Sequence, residues 1–271
     1  MVVNRLFHKL GNVISAYRDY KRLYENWHIA LLDYLKLSRK GEVIYKLRNG
    51  IMLKATKGSF DKSIIKEIWL DKNYNPPGFE IEKEDTVIDI GAHKGFFSIF
   101  AAVQAKDGEV YSFEPSSYNF KFLVENIKIN GLSNIKAFNQ GVCGKRGKKR
   151  LFLSSESSVF SMYGKSRKDY EDADFITLED IFMNYEIEKC DFLKMDCEGA
   201  EYEILFSTPV EILRKIRKIS LELHKVPGYE MESLQTLLEK NNFKVYTKSI
   251  DYPSKVEIPG VKMLYAINRE G

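Results

Sequence analysis

The residues with the clearest chemical pattern follow a short apolar run. Residues 87–95 read VIDIGAHKG, so that an acid, Asp89, is followed by glycines at positions 91 and 95. Glycine lets a backbone turn approach a ligand closely, and a helix that starts after such a turn presents unpaired N–H groups. In open α/β sheets, ligands bind at the carboxyl ends of strands. The segment therefore predicts a nucleotide-binding loop between a strand and a helix.

A second acid, Glu114, ends the next apolar run, residues 109–113. An acid at this place can accept two hydrogen bonds from the hydroxyls of a ribose. The alternative is that Glu114 only starts the following helix, where its charge suits the helix dipole. Because the glycine loop precedes it, we favour ribose binding. Residues 91–96, GAHKGF, match neither the dinucleotide pattern G-x-G-x-x-G nor a P-loop, so both of those nucleotide sites are excluded.

The acid-Ile-Gly-Ala-x-x-Gly turn resembles motif I of class I S-adenosylmethionine-dependent methyltransferases. Residues 191–205, DFLKMDCEGAEYEIL, are similar to the signature of the FkbM family, in which an aspartate follows the fourth strand and an acid-Gly-Ala-Glu sequence opens the next helix. The similarity runs from Thr86 to His224 and includes residues 176–180 and 220–224. His93 stands where the family has asparagine.

The resemblance implies S-adenosylmethionine as the cofactor and assigns residues to it. Asp89 and Gly91 would hold the methionine portion, Glu114 would bind the ribose, and the end of the third strand would lie near the adenine. Gly95 would allow close approach of the ligand. The full expected set lies in the glycine loop and at strand ends: Asp89, Gly91, Ala92, His93, Gly95, Glu114, Asn139, Gln140 and Asp196.

Three polar residues at strand ends are candidates for a general base at the methyl acceptor: Asp196, Glu222 and His224. A hydroxyl acceptor loses a proton during methyl transfer, and a side chain at hydrogen-bond distance can take it. We rank Asp196 first and His224 second, with a structural role for His224 as the alternative. The same residues could hold Mg²⁺ or Mn²⁺. No spacing pattern enforces a metal, so the sequence favours a site without one.

The acceptor is expected to be an oxygen atom. The Asp/Asn-Pro-Pro-aromatic motif of amine-directed methyltransferases is absent, and Cys197 lies between acids that disfavour a nucleophilic thiolate. The family resemblance implies a hydroxyl of a glycan, glycolipid or small metabolite. Residues 154–161, rich in serine, could contact such an acceptor or form a solvated loop. The alternatives are an RNA or protein methyltransferase and a non-catalytic cofactor-binding module.

Charge and cysteine content restrict the partners. Residues 1–40 carry eight Lys or Arg against three acids, whereas the rest of the chain is nearly neutral. We therefore expect no nucleic-acid partner. Three cysteines without metal-ligand spacing favour a cytoplasmic protein. The apolar stripe of residues 6–34 predicts a helical lid or homodimer contact, with peripheral membrane binding as the alternative.

The remaining pattern predicts the architecture. From residue 79 onward, strand-like and helix-like runs alternate, which indicates a Rossmann-like methyltransferase domain, residues 79–271, with a seven-stranded, mainly parallel sheet. Residues 243–248 and 261–268 are expected to close it as an antiparallel pair. Residues 1–78 form an N-terminal extension of helix, interrupted near Gly11, and a β-hairpin with a type I′ turn at Asn49-Gly50. Residues 143–153 are expected to form a second hairpin with a basic turn.

Overall fold

The computed structural model describes residues 2–153, 160–161, 170–249 and 261–270. Helices and strands follow one another in this order: α1 (Val2–Leu23), α2 (Trp27–Tyr34), β1 (Gly41–Lys46), β2 (Met52–Lys57), α3 (Asp61–Trp69), β3 (Thr86–Ile90), α4 (Phe96–Gln104), β4 (Glu109–Phe113), α5 (Ser117–Ile129), β5 (Ile135–Phe138), β6 (Gly141–Val142), β7 (Gly147–Leu153), β8 (Phe160–Ser161), β9 (Tyr170–Ile176), α6 (Leu178–Asn184), β10 (Cys190–Met195), α7 (Glu201–Ser207), α8 (Val210–Leu213), β11 (Ile216–Leu223), α9 (Met231–Lys240), β12 (Phe243–Ser249) and β13 (Lys262–Asn268).

The central sheet has seven strands in the order β12-β13-β11-β10-β3-β4-β5. Strands β11, β10, β3, β4 and β5 are parallel, and β13 is antiparallel to both β11 and β12. The predicted Rossmann-like fold with an antiparallel C-terminal pair is confirmed. From β3 the chain first adds β4 and β5 on one side and later returns to place β10 on the other. This reversal is the switch point at which open α/β sheets bind ligands.

A second, smaller sheet has the order β6-β9-β7-β8 and corrects one prediction. Strand β7 pairs antiparallel with β9, and β6 pairs parallel with the same strand, so residues 143–153 are not a hairpin. Strand β9 lies between the two runs that the sequence pattern joined. Most of the serine-rich stretch, residues 154–159, lies outside the described residues.

The N-terminal extension is confirmed as helices and a hairpin, with two corrections. Helix α1 continues through Gly11 without a break. Strands β1 and β2 pair antiparallel around Asn49-Gly50, but only Gly50 has a positive φ, +90°, so the turn is not type I′. None of the helices in the described part of the chain is long and apolar enough to cross a membrane.

The extension packs against α4 and α5 through one continuous apolar cluster. Tyr24, Tyr45 and Ile65 are fully buried in it. Trp69 meets the ring of Phe100 edge-on at 5.2 Å. This packing brings the segment before the central domain to the carboxyl edge of the sheet.

Side-chain amides on α5 also bind the edge of β2. The Asn126 Oδ1 accepts a hydrogen bond from the Lys54 N–H at 2.6 Å, and the Asn126 amide nitrogen donates to the Lys54 carbonyl at 3.0 Å. Asn130 makes the equivalent pair of hydrogen bonds with Met52 at 2.9 and 2.7 Å. The hairpin is therefore fixed to the helix by hydrogen bonds as well as by apolar contact.

Candidate active site

The glycine loop folds tightly between the ends of β3, β4 and β10. The N–H groups of Gly91 and Ala92 both donate to the Phe113 carbonyl at 3.0 Å. Gly91 has φ +74°, and a Cβ on it would collide with the backbone carbonyl of Asp196. Gly95 has φ +81°, and a Cβ there would collide with the Leu123 side chain. Both glycines are thus required by backbone conformation and protein packing; at Gly95 the packed neighbour is α5.

Glu114 connects β4 to this loop. Its carboxylate accepts hydrogen bonds from the backbone N–H of His93 at 2.7 Å and of Ser116 at 2.9 Å. Burial raises the pKa of Glu114 to about 7, although those two N–H groups oppose the rise. The carboxylate lies at the carboxyl end of β4 beside the loop. The structure therefore gives Glu114 a definite role in holding the loop, and ribose binding stays a prediction.

Among the residues of the glycine loop, His93 has surroundings that indicate a bound ligand. Its backbone is left-handed, with φ +52°. Burial lowers its pKa to about 4, so the imidazole is neutral at pH 7. Its Nδ1 is buried and has no hydrogen-bond partner among the described residues. Buried polar atoms in native proteins are nearly always paired. A bound polar molecule such as S-adenosylmethionine would supply that partner.

Asp89 lies below the loop. It is fully buried, its Oδ2 accepts from the Ser98 hydroxyl at 2.6 Å, and its Oδ1 lies 3.1 Å from the ammonium of Lys194. Lys194 also donates to the Gly91 carbonyl at 2.8 Å. Burial opposes the charge on Lys194, but the charges of Asp89 and Asp196 raise its pKa. Asp89 therefore positions the loop through Lys194.

Sequence reasoning missed Lys194 and a second buried lysine, Lys94. The Lys94 ammonium lies 2.6 Å from the Asp61 Oδ2 and 3.0 Å from the Thr56 hydroxyl. The backbone carbonyl of Lys94 accepts a hydrogen bond from the Asn126 side-chain amide at 2.8 Å. A lysine between two loop glycines, or inside an apolar strand, signals a buried partner, but the sequence does not say which one.

At the ends of β10 and β11 the structure brings Asp196, Glu222 and His224 together, as the topology predicted. Tyr74, from the segment before β3, was missed. Its hydroxyl is within hydrogen-bond distance of the Asp196 Oδ2 at 2.8 Å and of the Glu222 Oε2 at 3.1 Å. Burial and the charges of the two acids raise the pKa of Tyr74 well above 10, so the phenol stays protonated and can donate.

His224 is surrounded by carboxylates. Its Nδ1 lies 3.1 Å from the Glu201 Oε1, and its Nε2 lies 3.8 Å from Glu198 and 3.9 Å from Glu222. Burial acts to lower its pKa, but the hydrogen bond and charge of Glu201 and the charges of Asp196 and Glu198 raise it to about 10. An imidazolium has no lone pair for a proton. At neutral pH this geometry favours the carboxylates over His224 as the base.

Asn139 and Gln140, the two residues expected near the adenine, lie at the rim of the candidate site. The Asn139 amide donates to the carbonyls of Glu114 at 2.9 Å and Pro115 at 3.1 Å, so it supports the turn after β4. Gln140 is half-buried beside it. Their role toward the adenine stays a prediction.

The fold and this site define a class I, Rossmann-like methyltransferase. Residues 89–245, more than half of the chain, match the sequence model of the methyltransferase FkbM domain. The chain therefore belongs to the FkbM methyltransferase family, and its methyl donor is S-adenosylmethionine.

The chain is similar to two curated proteins over most of their length. One is the 31-O-demethyl-FK506 methyltransferase FkbM of Streptomyces tacrolimicus, 23% identical over 231 residues, which are 74% of this chain and 88% of that protein. The other is the methyltransferase sdnD of Sordaria araneosa, 24% identical over 214 residues, which are 67% and 82% of the two chains.

A solved structure shares the fold. It is the methyltransferase FkbM of Methylobacillus flagellatus, with a TM-score of 0.51 and 15% identity. The superposition covers 93% of this chain and 58% of that one.

Proposed function

We propose that this protein transfers a methyl group from S-adenosylmethionine to a hydroxyl group of a glycan, glycolipid or small metabolite. The observation that carries the proposal is the pair of carboxylates, Asp196 and Glu222, placed at one phenol hydroxyl beside the glycine loop. A pair of half-buried acids at a strand end is suited to taking a proton from an alcohol.

The cofactor supplies a methyl group on a sulfonium, which leaves as a thioether without help from an acid. The residues of the chain therefore align the acceptor and remove its proton. When the acceptor oxygen takes the methyl group from the bound cofactor, the hydroxyl proton would pass to Asp196 or Glu222. Tyr74 keeps its own proton and lies within hydrogen-bond distance of both carboxylates, so it can donate to either one of them. Glu114 and the loop around His93 hold the cofactor.

The charge of the site supports a neutral, hydroxylated acceptor over a nucleic acid. Asp196, Glu198 and Glu222 all border the acceptor end and would repel phosphates. The basic stretch at residues 145–150 is partly neutralised by the protein itself, because Arg146 pairs with Asp180 at 2.6 Å. Arg150 lies 3.7 Å from Asp172. These ion pairs reduce the positive charge that RNA binding would need.

The test is transfer of radiolabelled methyl from S-adenosylmethionine to three acceptor pools: hydroxylated sugars and glycolipids, RNA, and peptides. We expect label in the first pool, in an ether that survives mild alkali. Asp196→Asn and Glu222→Gln should each reduce transfer, whereas Glu188→Gln, an exposed acid before the amino end of β10, should not. Label found only in RNA or in alkali-labile methyl esters of peptides would refute the proposed acceptor.

A further inference from the structure

We propose that Asp196, Glu198 and His224 form a binding site for a divalent cation of the Mg²⁺ or Mn²⁺ type. Each residue offers one ligand atom, and the three atoms lie within 4.8 Å of one another. All three side chains are half-buried, so water and a ligand oxygen can still reach the point between them. Two carboxylates and one imidazole are a donor set that suits these ions.

The orientation of His224 is that of a metal ligand. Its Nδ1 lies 3.1 Å from the Oε1 of Glu201, which is fully buried. In the imidazolium both ring nitrogens carry protons, so a bound ion would displace the proton of Nε2, which lies 3.8 Å from Glu198, while Nδ1–H keeps its contact with Glu201. Metal-bound histidines almost always donate their second N–H to a carboxylate or carbonyl in this way, which fixes the tautomer and the ring.

Glu201 supplies an independent indication that the site can hold more positive charge than the imidazolium alone provides. It is not one of the three proposed ligands, yet its carboxylate contacts His224 directly. Its Oε1 also accepts from the Cys197 N–H at 2.9 Å. Its Oε2 is buried without a hydrogen-bond partner among the described residues. A buried carboxylate that is only partly paired is costly, and a cation beside the histidine that it holds would offset that cost.

A cation at this point leaves Glu222 as the carboxylate that takes the acceptor proton. The ion would hold an acceptor oxygen and favour its deprotonation. This catalytic role depends on the proposed function, whereas the binding site itself does not.

The site can be tested with Mn²⁺ alone, without an acceptor. Free Mn²⁺ gives a sharp electron paramagnetic resonance signal that weakens when the ion is bound, so titration of the metal-stripped protein gives a dissociation constant. We expect one bound Mn²⁺ per chain, and affinity at least about 10-fold weaker in Glu198→Gln and Asp196→Asn. Glu188→Gln, the matched surface control, should bind as the unchanged protein does.

Thermal unfolding and S-adenosylmethionine binding would show that each variant is folded. Absence of Mn²⁺ binding in the unchanged protein, or equal binding by all variants, would overturn the proposed site. Mn²⁺ bound through Glu198 with no methyl transfer to any hydroxylated acceptor would support the site and contradict the proposed function. The two proposals can therefore fail separately.

Discussion

Lys94 and Asp61 form an ion pair in which both side chains are completely buried, with 2.6 Å between the ammonium nitrogen and the Asp61 Oδ2. Lys94 lies in the glycine loop, and Asp61 begins α3 of the N-terminal extension. The Asp61 Oδ2 also accepts from the Thr56 N–H at 2.7 Å, so the pair is continuous with β2. The N-terminal extension therefore helps to hold the glycine loop in place.

Asp61→Asn should destabilise the protein strongly, because it leaves the Lys94 ammonium buried without its counter-charge. Breaking such a pair costs about 3–5 kcal/mol. We expect this loss in urea unfolding, together with weaker S-adenosylmethionine binding by calorimetry. Asp71→Asn is the matched control, since Asp71 pairs with Lys66 at 2.6 Å on the surface. That pair should contribute less than about 1 kcal/mol. Equal losses in the two variants would contradict the supporting role of Asp61.

Tyr74→Phe should reduce catalysis without reducing cofactor affinity. The variant removes the hydroxyl shared by Asp196 and Glu222 but keeps the ring, which packs 5.5 Å from Phe97. A lost hydrogen bond to a charged group corresponds to about 1.5–3 kcal/mol, or roughly 10- to 100-fold in kcat. Steady-state methyl transfer and calorimetry would measure the two effects. An unchanged kcat would show that the phenol does not hold the carboxylates for catalysis.

Gly91→Ala should prevent the glycine loop from folding stably. The added Cβ would occupy the place of the Asp196 carbonyl, and φ of +74° is unfavourable for alanine. Gly131→Ala is the comparison, because Gly131 has φ +62° with no atom within 4 Å of an added Cβ. It should cost only the conformational penalty of about 1 kcal/mol. Urea unfolding would separate the two, and a similar small loss at both positions would argue against close packing of the loop on β10.

The contribution of His224 to stability should depend on pH. Its pKa is about 10 in the folded protein and 6.5 as the ordinary value. A raised histidine pKa stabilises the folded state fully below 6.5, and the stabilisation is lost as pH rises to 10. The maximum effect is up to about 5 kcal/mol. In the presence of a chelator, the difference in unfolding free energy between the unchanged protein and His224→Gln should shrink over this range. A difference that grows with pH would contradict the protonated state.

Local patterns in the sequence were sufficient for most of the central fold. Alternation of apolar runs with helical segments predicted the strands that became β3, β4, β10 and β11, because burial on both faces leaves near-continuous apolar stretches. Local pattern also predicted the pairing of β1 with β2 and of β12 with β13, but it assigned the wrong partner to one strand. The strand at residues 147–153 pairs with β9, across residues 154–169, and no feature of either run specifies the other.

The sequence by itself determined the glycine loop, the acid at the end of β4 and the acids after β10, since each follows from residue types at short, fixed spacing. The tertiary structure decided what those residues contact. Tyr74 contacts Asp196 and Glu222, which lie 122 and 148 residues further along the chain. Lys94 contacts Asp61, which lies 33 residues before it. Such pairs form because folding buries charges and hydroxyls that must then find partners. The protonation of His224 follows from the same packing, since Glu198 and Glu201, which follow β10, meet the imidazole beside Glu222 at the end of β11.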